Sequence, residues 1–160
     1  RLLKDELSDA PCDRAEVLLF LAARAQLVEK VILPALERGE WVVSDRFSDS
    51  TFAYQGYGRG LDLATLKFAN DFACSSLKPD MTLLLDVDQT AADERRCERE
   101  KATCTSSDRI ESAGAEFHRR LCCGFRELAA AEPERIVTID ASGTKEAVQE
   151  AVWMSVKRLI

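Results

Sequence analysis

Three charged side chains follow apolar runs of the sequence, where they could bind phosphate or a metal ion. Asp45 and Arg46 come shortly after Trp41–Val43, and Asp86 ends the apolar run 81–85. A guanidinium fork matches two phosphate oxygens, and a neighbouring carboxylate can hold that fork or Mg²⁺. Ligands of open parallel sheets gather beyond the carboxyl ends of the strands. The pattern indicates phosphate chemistry, with solvated aspartates and a structural Asp45–Arg46 ion pair as the alternatives.

Phe20 and Arg24 lie four positions apart in a helical pattern, so they share one face of the predicted helix. An aromatic ring and a donor fork at this separation could stack on a nucleobase and donate hydrogen bonds to it. The alternative is an ordinary core phenylalanine beside a surface arginine, and the spacing alone leaves both open.

The elements that would position these residues alternate between helices and strands. Four segments have apolar residues at intervals of three and four, the helical period: 15–36, 61–76, 115–131 and 145–159. Three short apolar runs predict buried strands: 41–43, 81–87 and 135–140. This alternation predicts a single α/β domain over 1–160, a parallel sheet flanked by helices. Pro34 is expected to kink the end of the first helix, and Gly39 to stop it.

Two polar segments interrupt this pattern. Ser48–Gly60 is rich in hydroxyl groups and glycine, so we expect it to line a surface cleft rather than form a core element. Residues 89–101 predict a charged helix, and 102–107 follow it without an apolar face. The second segment therefore predicts a mobile flap.

Composition excludes several classes of function. The net charge of -6 argues against broad binding of nucleic acid, which needs a basic face. No run of 18 apolar residues and no signal peptide is visible, so we expect a cytoplasmic protein without a membrane partner. Six cysteines without a C-x-x-C pair, and His118 as the only histidine, predict reduced thiols and no zinc site. We do not expect His118 to act as a catalytic base.

Five segments, taken in order, closely resemble bacterial thymidylate kinase. They are Glu16–Arg24, Asp45–Phe47, Ser50–Gly56, Pro79–Asp80 with Leu84–Val87, and Asp108–Glu111. The resemblance runs from about Leu2 to Ile160. It implies transfer of a phosphoryl group from ATP to dTMP, with Mg²⁺ bound, by a homodimer.

The resemblance also implies which residues bind dTMP: Phe20, Arg24, Arg46, Ser50, Thr51, Tyr54 and Gln55. Phe20 would stack on thymine and Arg24 would donate to a carbonyl oxygen of the base, a polarity that does not fit the amine of cytosine. Thr51 and Gln55 would also contact the base.

The phosphate end of dTMP would be held by a second group of residues. The resemblance implies that Arg46 grips the phosphate and that Asp45 lies near Mg²⁺ and the reacting groups. Tyr54 would pack against the deoxyribose and disfavour a 2′-hydroxyl, with Ser50 supporting that wall.

The resemblance implies a lid over about 95–112. Arg95, Arg96 and Arg99 would close over ATP and neutralise charge on the transferring phosphoryl group. Five further residues would anchor the lid's return and hold the following helix: Asp108, Arg109, Phe117, Arg120 and Phe125.

The sequence departs from the family in one respect, because it contains no G-x-x-x-x-G-K-[ST] loop for the ATP phosphates. We therefore expect a P-loop-kinase-like parallel sheet with the first strands and the P-loop missing through truncation, which puts catalysis by this chain alone in doubt. The alternatives are a catalytically inactive nucleotide-binding fragment and a related deoxynucleotide kinase.

Overall fold

Residues 11–88 and 113–160 are described in this computed structural model, and they divide into two units. Unit 1 comprises the described residues 11–78 and 113–126, and unit 2 comprises 79–88 and 127–160. The predicted flap, the lid at about 95–112 and its arginines lie outside the described residues.

The first predicted helix is a continuous helical run with a change of pitch. Helix α1 (Asp13–Leu27) passes into a π-helical segment, Val28–Ile32, and then into α2 (Leu33–Glu37). Pro34 lies in the first turn of α2 and has no N–H to donate to the carbonyls of the π-helical segment before it. Where the sequence predicted a kink at Pro34, the structure has a π-helical segment just before the proline. Gly39, with φ +74°, follows the helix end as expected.

The prediction of a buried strand at Trp41–Val43 is wrong. The segment forms no strand, and Val43 is 92% exposed. A strand exists only when its main chain pairs with a neighbour, and the described residues provide none here. β-branched composition predicts the local conformation but not the partner.

The prediction that Ser48–Gly60 does not form a core element is wrong. Helix α3 (Ser48–Thr51) continues as a π-helical segment, Phe52–Gly58. Most of this run is buried, including Thr51 and Gln55. Small residues permit this burial: a Cβ on Gly58 would lie 2.6 Å from Phe117 Cε2, so only glycine fits.

Helix α4 (Leu63–Ala73) packs against α1 in unit 1. Asp62 caps its first turn by accepting a hydrogen bond from the Thr65 backbone N–H at 2.7 Å. The shared core consists of Val17, Leu21, Leu66 and Ala73. Within each helix these residues are four or seven apart, as a single buried face requires.

Unit 2 contains a parallel pair of strands, β1 (Thr82–Asp86) and β2 (Ile136–Asp140), in which Leu84 lies opposite Thr138. Both predicted strands and their parallel arrangement are confirmed. Burial of β1 is incomplete, because Leu85 is 52% exposed.

Two later helices match the sequence prediction. Helix α5 (Ala115–Ala131) begins in unit 1, and α6 (Lys145–Val156) with a 3₁₀ turn at Lys157–Leu159 closes unit 2. The Thr144 hydroxyl caps α6.

The four cysteines that the structure describes, Cys12, Cys74, Cys122 and Cys123, form no disulfide with one another, and Cys74 is buried. Among the described residues, no helix is long and apolar enough to cross a membrane.

Candidate functional site

Arg24 is the best-anchored of the predicted site residues. Its NH1 group donates to Thr51 Oγ1 at 2.6 Å and to Asn70 Oδ1 at 2.8 Å. Its NH2 group donates to the Phe47 carbonyl at 3.0 Å. The guanidinium also lies 5.6 Å from the centre of the Phe47 ring, a cation–π contact. The Arg24 side chain, which belongs to α1, is thus fixed by contacts to Thr51 in α3, to Asn70 in α4 and to Phe47 just before α3.

The charge of Arg24 is partly desolvated. Burial lowers the pKa of Arg24, while the negative charge of Asp49 acts in the opposite direction. A guanidinium remains protonated in proteins even so. All three hydrogen-bond acceptors of Arg24 are neutral, and the nearby Asp49 carboxylate offsets only part of its positive charge.

Asn70 is a site residue that the sequence analysis missed. It lies in α4, is 4% exposed and accepts the Arg24 hydrogen bond across 46 positions of the chain. The sequence carried one signal for it: a polar residue stands between Leu66 and Ala73 on the apolar face of α4.

Arg46 and Tyr54 form a second contact pair within the predicted site. The Arg46 guanidinium lies 5.4 Å from the centre of the Tyr54 ring, and Arg46 is otherwise exposed. The Tyr54 ring packs against Phe117 at 6.3 Å and edge-on against Phe125 at 6.1 Å between ring centres. Helix α5 thus supports the Tyr54 ring, which contacts the Arg46 guanidinium. This contact, and not an ion pair with Asp45, orients that guanidinium.

Gln55 belongs to a buried polar cluster rather than to an open surface. Its Nε2 donates to Glu16 Oε1 at 2.9 Å, and Arg59 NH2 lies 3.4 Å from Glu16 Oε2. The Arg59 guanidinium also lies 4.9 Å from the centre of the Phe117 ring. Glu16 is only 1% exposed, so its charge is compensated inside the protein.

An arginine side chain of α5 also binds the main chain of the segment Phe52–Gly58. Arg120 donates to the Gly58 carbonyl through Nε at 3.2 Å and NH2 at 2.8 Å. The ring of His118 packs edge-on against Phe117 at 5.5 Å. These contacts agree with the expected placing of Phe117, Arg120 and Phe125 on the helix that follows the lid.

The remaining predicted residues of unit 1 are placed but make fewer fixed contacts. Phe20 is half-buried on α1, one turn before Arg24. Ser50 is half-buried in α3, and Asp45 is exposed in the loop before it. Ser44 Oγ donates to the Arg46 carbonyl at 2.7 Å and shapes that loop.

In unit 2, Asp86 and Asp140 end the two strands side by side. The Asp140 carboxylate accepts from Ser142 N at 2.9 Å and Ser142 Oγ at 2.6 Å, and these bonds lower the pKa of Asp140. Asp140 is therefore engaged in a turn. No group of three or more His, Cys, Asp or Glu side chains suited to a metal ion occurs within residues 11–88 and 113–160.

Comparison with known proteins identifies relatives of this chain. A family model described as thymidylate kinase matches residues 2–152. The chain is 49% identical over 150 residues to the thymidylate kinase of Solidesulfovibrio magneticus, covering 92% of this chain and 72% of that protein. It is 48% identical over 149 residues to the thymidylate kinase of Desulfovibrio desulfuricans, covering 92% and 69%.

A solved structure supports the fold independently. The crystal structure of thymidylate kinase from Ehrlichia chaffeensis superposes with a TM-score of 0.67 at 28% identity, covering 92% of this chain and 67% of that one. The fold is that of a nucleoside monophosphate kinase, an α/β phosphotransferase. The chain belongs to the thymidylate kinase family, which confirms the resemblance drawn from the five sequence segments.

Proposed function

We propose that unit 1 binds dTMP and that the protein phosphorylates it to dTDP with ATP, a step of dTTP biosynthesis. The observation that carries this proposal is the anchoring of Arg24. A guanidinium has five N–H donors, and three of those in Arg24 are committed to Thr51, Asn70 and the Phe47 carbonyl. One hydrogen on NH2 and the Nε–H are left to donate to a ligand.

A fixed donor at this position favours thymine over cytosine. Thymine has a carbonyl oxygen where cytosine has an amine, and a donor facing an amine leaves both groups unpaired. Phe20, one turn earlier on α1, stacks on the base. Thr51 and Gln55 complete the base pocket. The hydrogen bond with Arg24 fixes the orientation of Thr51, and the hydrogen bond with Glu16 fixes that of Gln55.

The phosphate end of dTMP is assigned to Arg46 and Tyr54. Arg46 is exposed and carries a guanidinium fork suited to two phosphate oxygens. Tyr54 holds that fork by a cation–π contact and presents its ring to the deoxyribose. Ser50 supports the same wall.

Asp45 fits a role in holding Mg²⁺ between the substrates. Its carboxylate is exposed beside Arg46, and Mg²⁺ in phosphotransferases binds one or two carboxylates together with water and substrate phosphates. When bound, Mg²⁺ supplies positive charge to the phosphate oxygens.

The reaction needs no covalent intermediate. A phosphate oxygen of dTMP attacks the γ-phosphorus of ATP in line, and the bond from that phosphorus to the bridging oxygen breaks, so that ADP leaves. The protein supplies alignment and positive charge. Arg46 aligns the attacking phosphate, and Arg95, Arg96 and Arg99 of the lid at about 95–112 are assigned to the charge of the transferred group.

At the level of the whole protein, we propose a single thymidylate-kinase domain over 1–160 that forms a homodimer in the cytoplasm. Its partners are the nucleotides dTMP and ATP, without nucleic acid or membrane. The family match does not favour an inactive nucleotide-binding fragment or a kinase for another deoxynucleotide.

Calorimetric titration with dTMP tests this assignment. We expect saturable binding that Arg24→Ala weakens about 10- to 100-fold, the range for a lost charge-assisted hydrogen bond. Arg38→Ala is a matched control, because Arg38 is exposed and pairs only locally with Glu40. Absence of dTMP binding by the folded wild-type chain, or equal losses in both variants, would contradict the proposal.

A further inference from the structure

Asn70 stands on a helix face that is otherwise apolar. Leu66 and Ala73, on either side of it in the helical repeat, belong to the core between α1 and α4. A buried amide at such a position costs free energy unless it is hydrogen-bonded. The single amide in this face therefore calls for an explanation beyond packing.

The partners of Asn70 supply that explanation. Its Oδ1 accepts from Arg24 NH1 at 2.8 Å and lies 3.9 Å from Cys74 Sγ, one helical turn later. Burial raises the pKa of the Cys74 thiol, so the thiol stays protonated and keeps its hydrogen toward the amide oxygen. The two donors hold Oδ1 in place, and Oδ1 in turn holds one N–H of Arg24.

We propose that Asn70 is a specificity-determining positioning residue that orients the Arg24 guanidinium for the nucleobase. This inference rests on the proposed function, in which Arg24 donates to the base. Thr51 and Asn70 accept from the two hydrogens of NH1, and Phe47 accepts one hydrogen of NH2. With these three bonds made, the plane of the guanidinium cannot rotate without breaking at least one of them.

The neutrality of Asn70 matters as much as its position. A carboxylate at the same place would form a bidentate pair with Arg24 and would neutralise the charge that a base carbonyl needs. An amide oxygen of the same size orients the fork without adding a second negative charge to that of nearby Asp49. A neutral acceptor at this buried position thus orients Arg24 without forming an ion pair with it.

Two substitutions separate a positioning role from a structural one. Asn70→Ala removes the acceptor, whereas Asn70→Asp keeps its size and adds an ion pair to Arg24. We expect both to weaken dTMP binding about 10-fold in calorimetric titrations. The thermal midpoint of Asn70→Asp should not fall below that of the wild type, because the carboxylate still accepts the hydrogen bond from Arg24 and adds an ion pair to it.

A double-mutant cycle with Arg24 tests the mechanism directly. In the Arg24→Ala background, we expect Asn70→Ala to change dTMP affinity less than about twofold, since the group it orients is gone. Gln26→Ala, which removes an exposed amide from α1, is the matched control and should leave affinity unchanged.

The outcomes are distinguishable. Affinity that falls in both Asn70 variants, but only when Arg24 is present, supports the inference. Wild-type affinity in Asn70→Asp, or an equal loss from Asn70→Ala with and without Arg24, would overturn it while the Arg24 assignment stands. A wild-type chain that binds no dTMP would overturn the proposed function and this inference with it.

Discussion

Glu16 is a buried carboxylate whose contacts connect three parts of unit 1. It accepts from Gln55 and pairs with Arg59, and Arg59 in turn stacks on Phe117 of α5. The Nε atom of Arg59 is buried without a hydrogen-bond acceptor, although Asp13 Oδ1 lies 3.6 Å from it. Glu16 is therefore the main acceptor that holds this cluster together.

Removing Glu16 should be costly for stability. Glu16→Ala leaves the buried Gln55 amide without its acceptor and the Arg59 charge with only Asp13, at 3.6 Å, so we expect a loss of about 3 kcal/mol in the free energy of unfolding. Urea denaturation measures it. Glu40→Ala, which breaks an exposed ion pair with Arg38, is the control and should leave the urea midpoint unchanged. Equal midpoints for both variants would show that the buried cluster does not support unit 1.

The predictability of the site differed from residue to residue. That Phe20 and Arg24 share one face of α1 was predictable, because a spacing of four places residues on one helix face whatever the tertiary structure. Asn70 was not, because its meeting with Arg24 depends on how α1 packs against α4. Gln55 was assigned to the base by resemblance, but its bond to Glu16 depends on the burial of the segment Phe52–Gly58.

At the scale of elements, close packing around glycine joins α5 to the segment Phe52–Gly58. Gly124 is buried in α5, and a Cβ at this position would lie 2.5 Å from Tyr57 Cγ. Atoms next to the tyrosine backbone cannot swing away as a flexible chain end can. The helix therefore approaches this closely only because residue 124 has no side chain.

Gly124→Ala should lower the free energy of unfolding by about 1–3 kcal/mol, the usual cost of overpacking, despite the better helix propensity of alanine. Gly114→Ala is a matched control, because nothing lies within 4 Å of its added Cβ. Thermal or urea unfolding measures both. An unchanged or raised stability of Gly124→Ala would contradict the close approach of α5 to Tyr57.

The Asp62 cap makes the stability of α4 depend on pH. Hydrogen bonds from Thr65 lower the pKa of Asp62 below its unfolded value of about 3.9. A carboxyl with a lowered pKa stabilises the fold above its unfolded pKa, and this contribution is lost as pH falls through the folded-state pKa. We therefore expect unfolding free energy to decrease as the pH falls below about 4.

Asp62→Asn isolates this contribution, since asparagine keeps a capping oxygen but does not titrate in this range. Urea denaturation at several pH values should show a smaller acid-induced loss for the variant than for the wild type. Parallel curves for the two proteins would show that Asp62 does not contribute to the pH dependence.

At the scale of the whole molecule, helices and two strands were predictable because their periodicity is a local property. The parallel β1–β2 pair and the family fold are confirmed. Trp41–Val43 shows the limit, because a β-branched run becomes a strand only where another strand pairs with it. Ser48–Gly60 shows the opposite limit: its polar, glycine-rich composition predicts exposure, whereas small side chains are what allow α5 to cover it.

The central claim is that dTMP binds within unit 1 around Arg24. The most direct test is to follow backbone amide and arginine Nε–H signals by NMR during titration with dTMP. The account predicts the largest shifts at Arg24 Nε–H and at the amides of α3 and Phe52–Gly58, with smaller ones in β1, β2 and α6. Shifts concentrated in β1, β2 and α6, with an unmoved Arg24 signal, would contradict it.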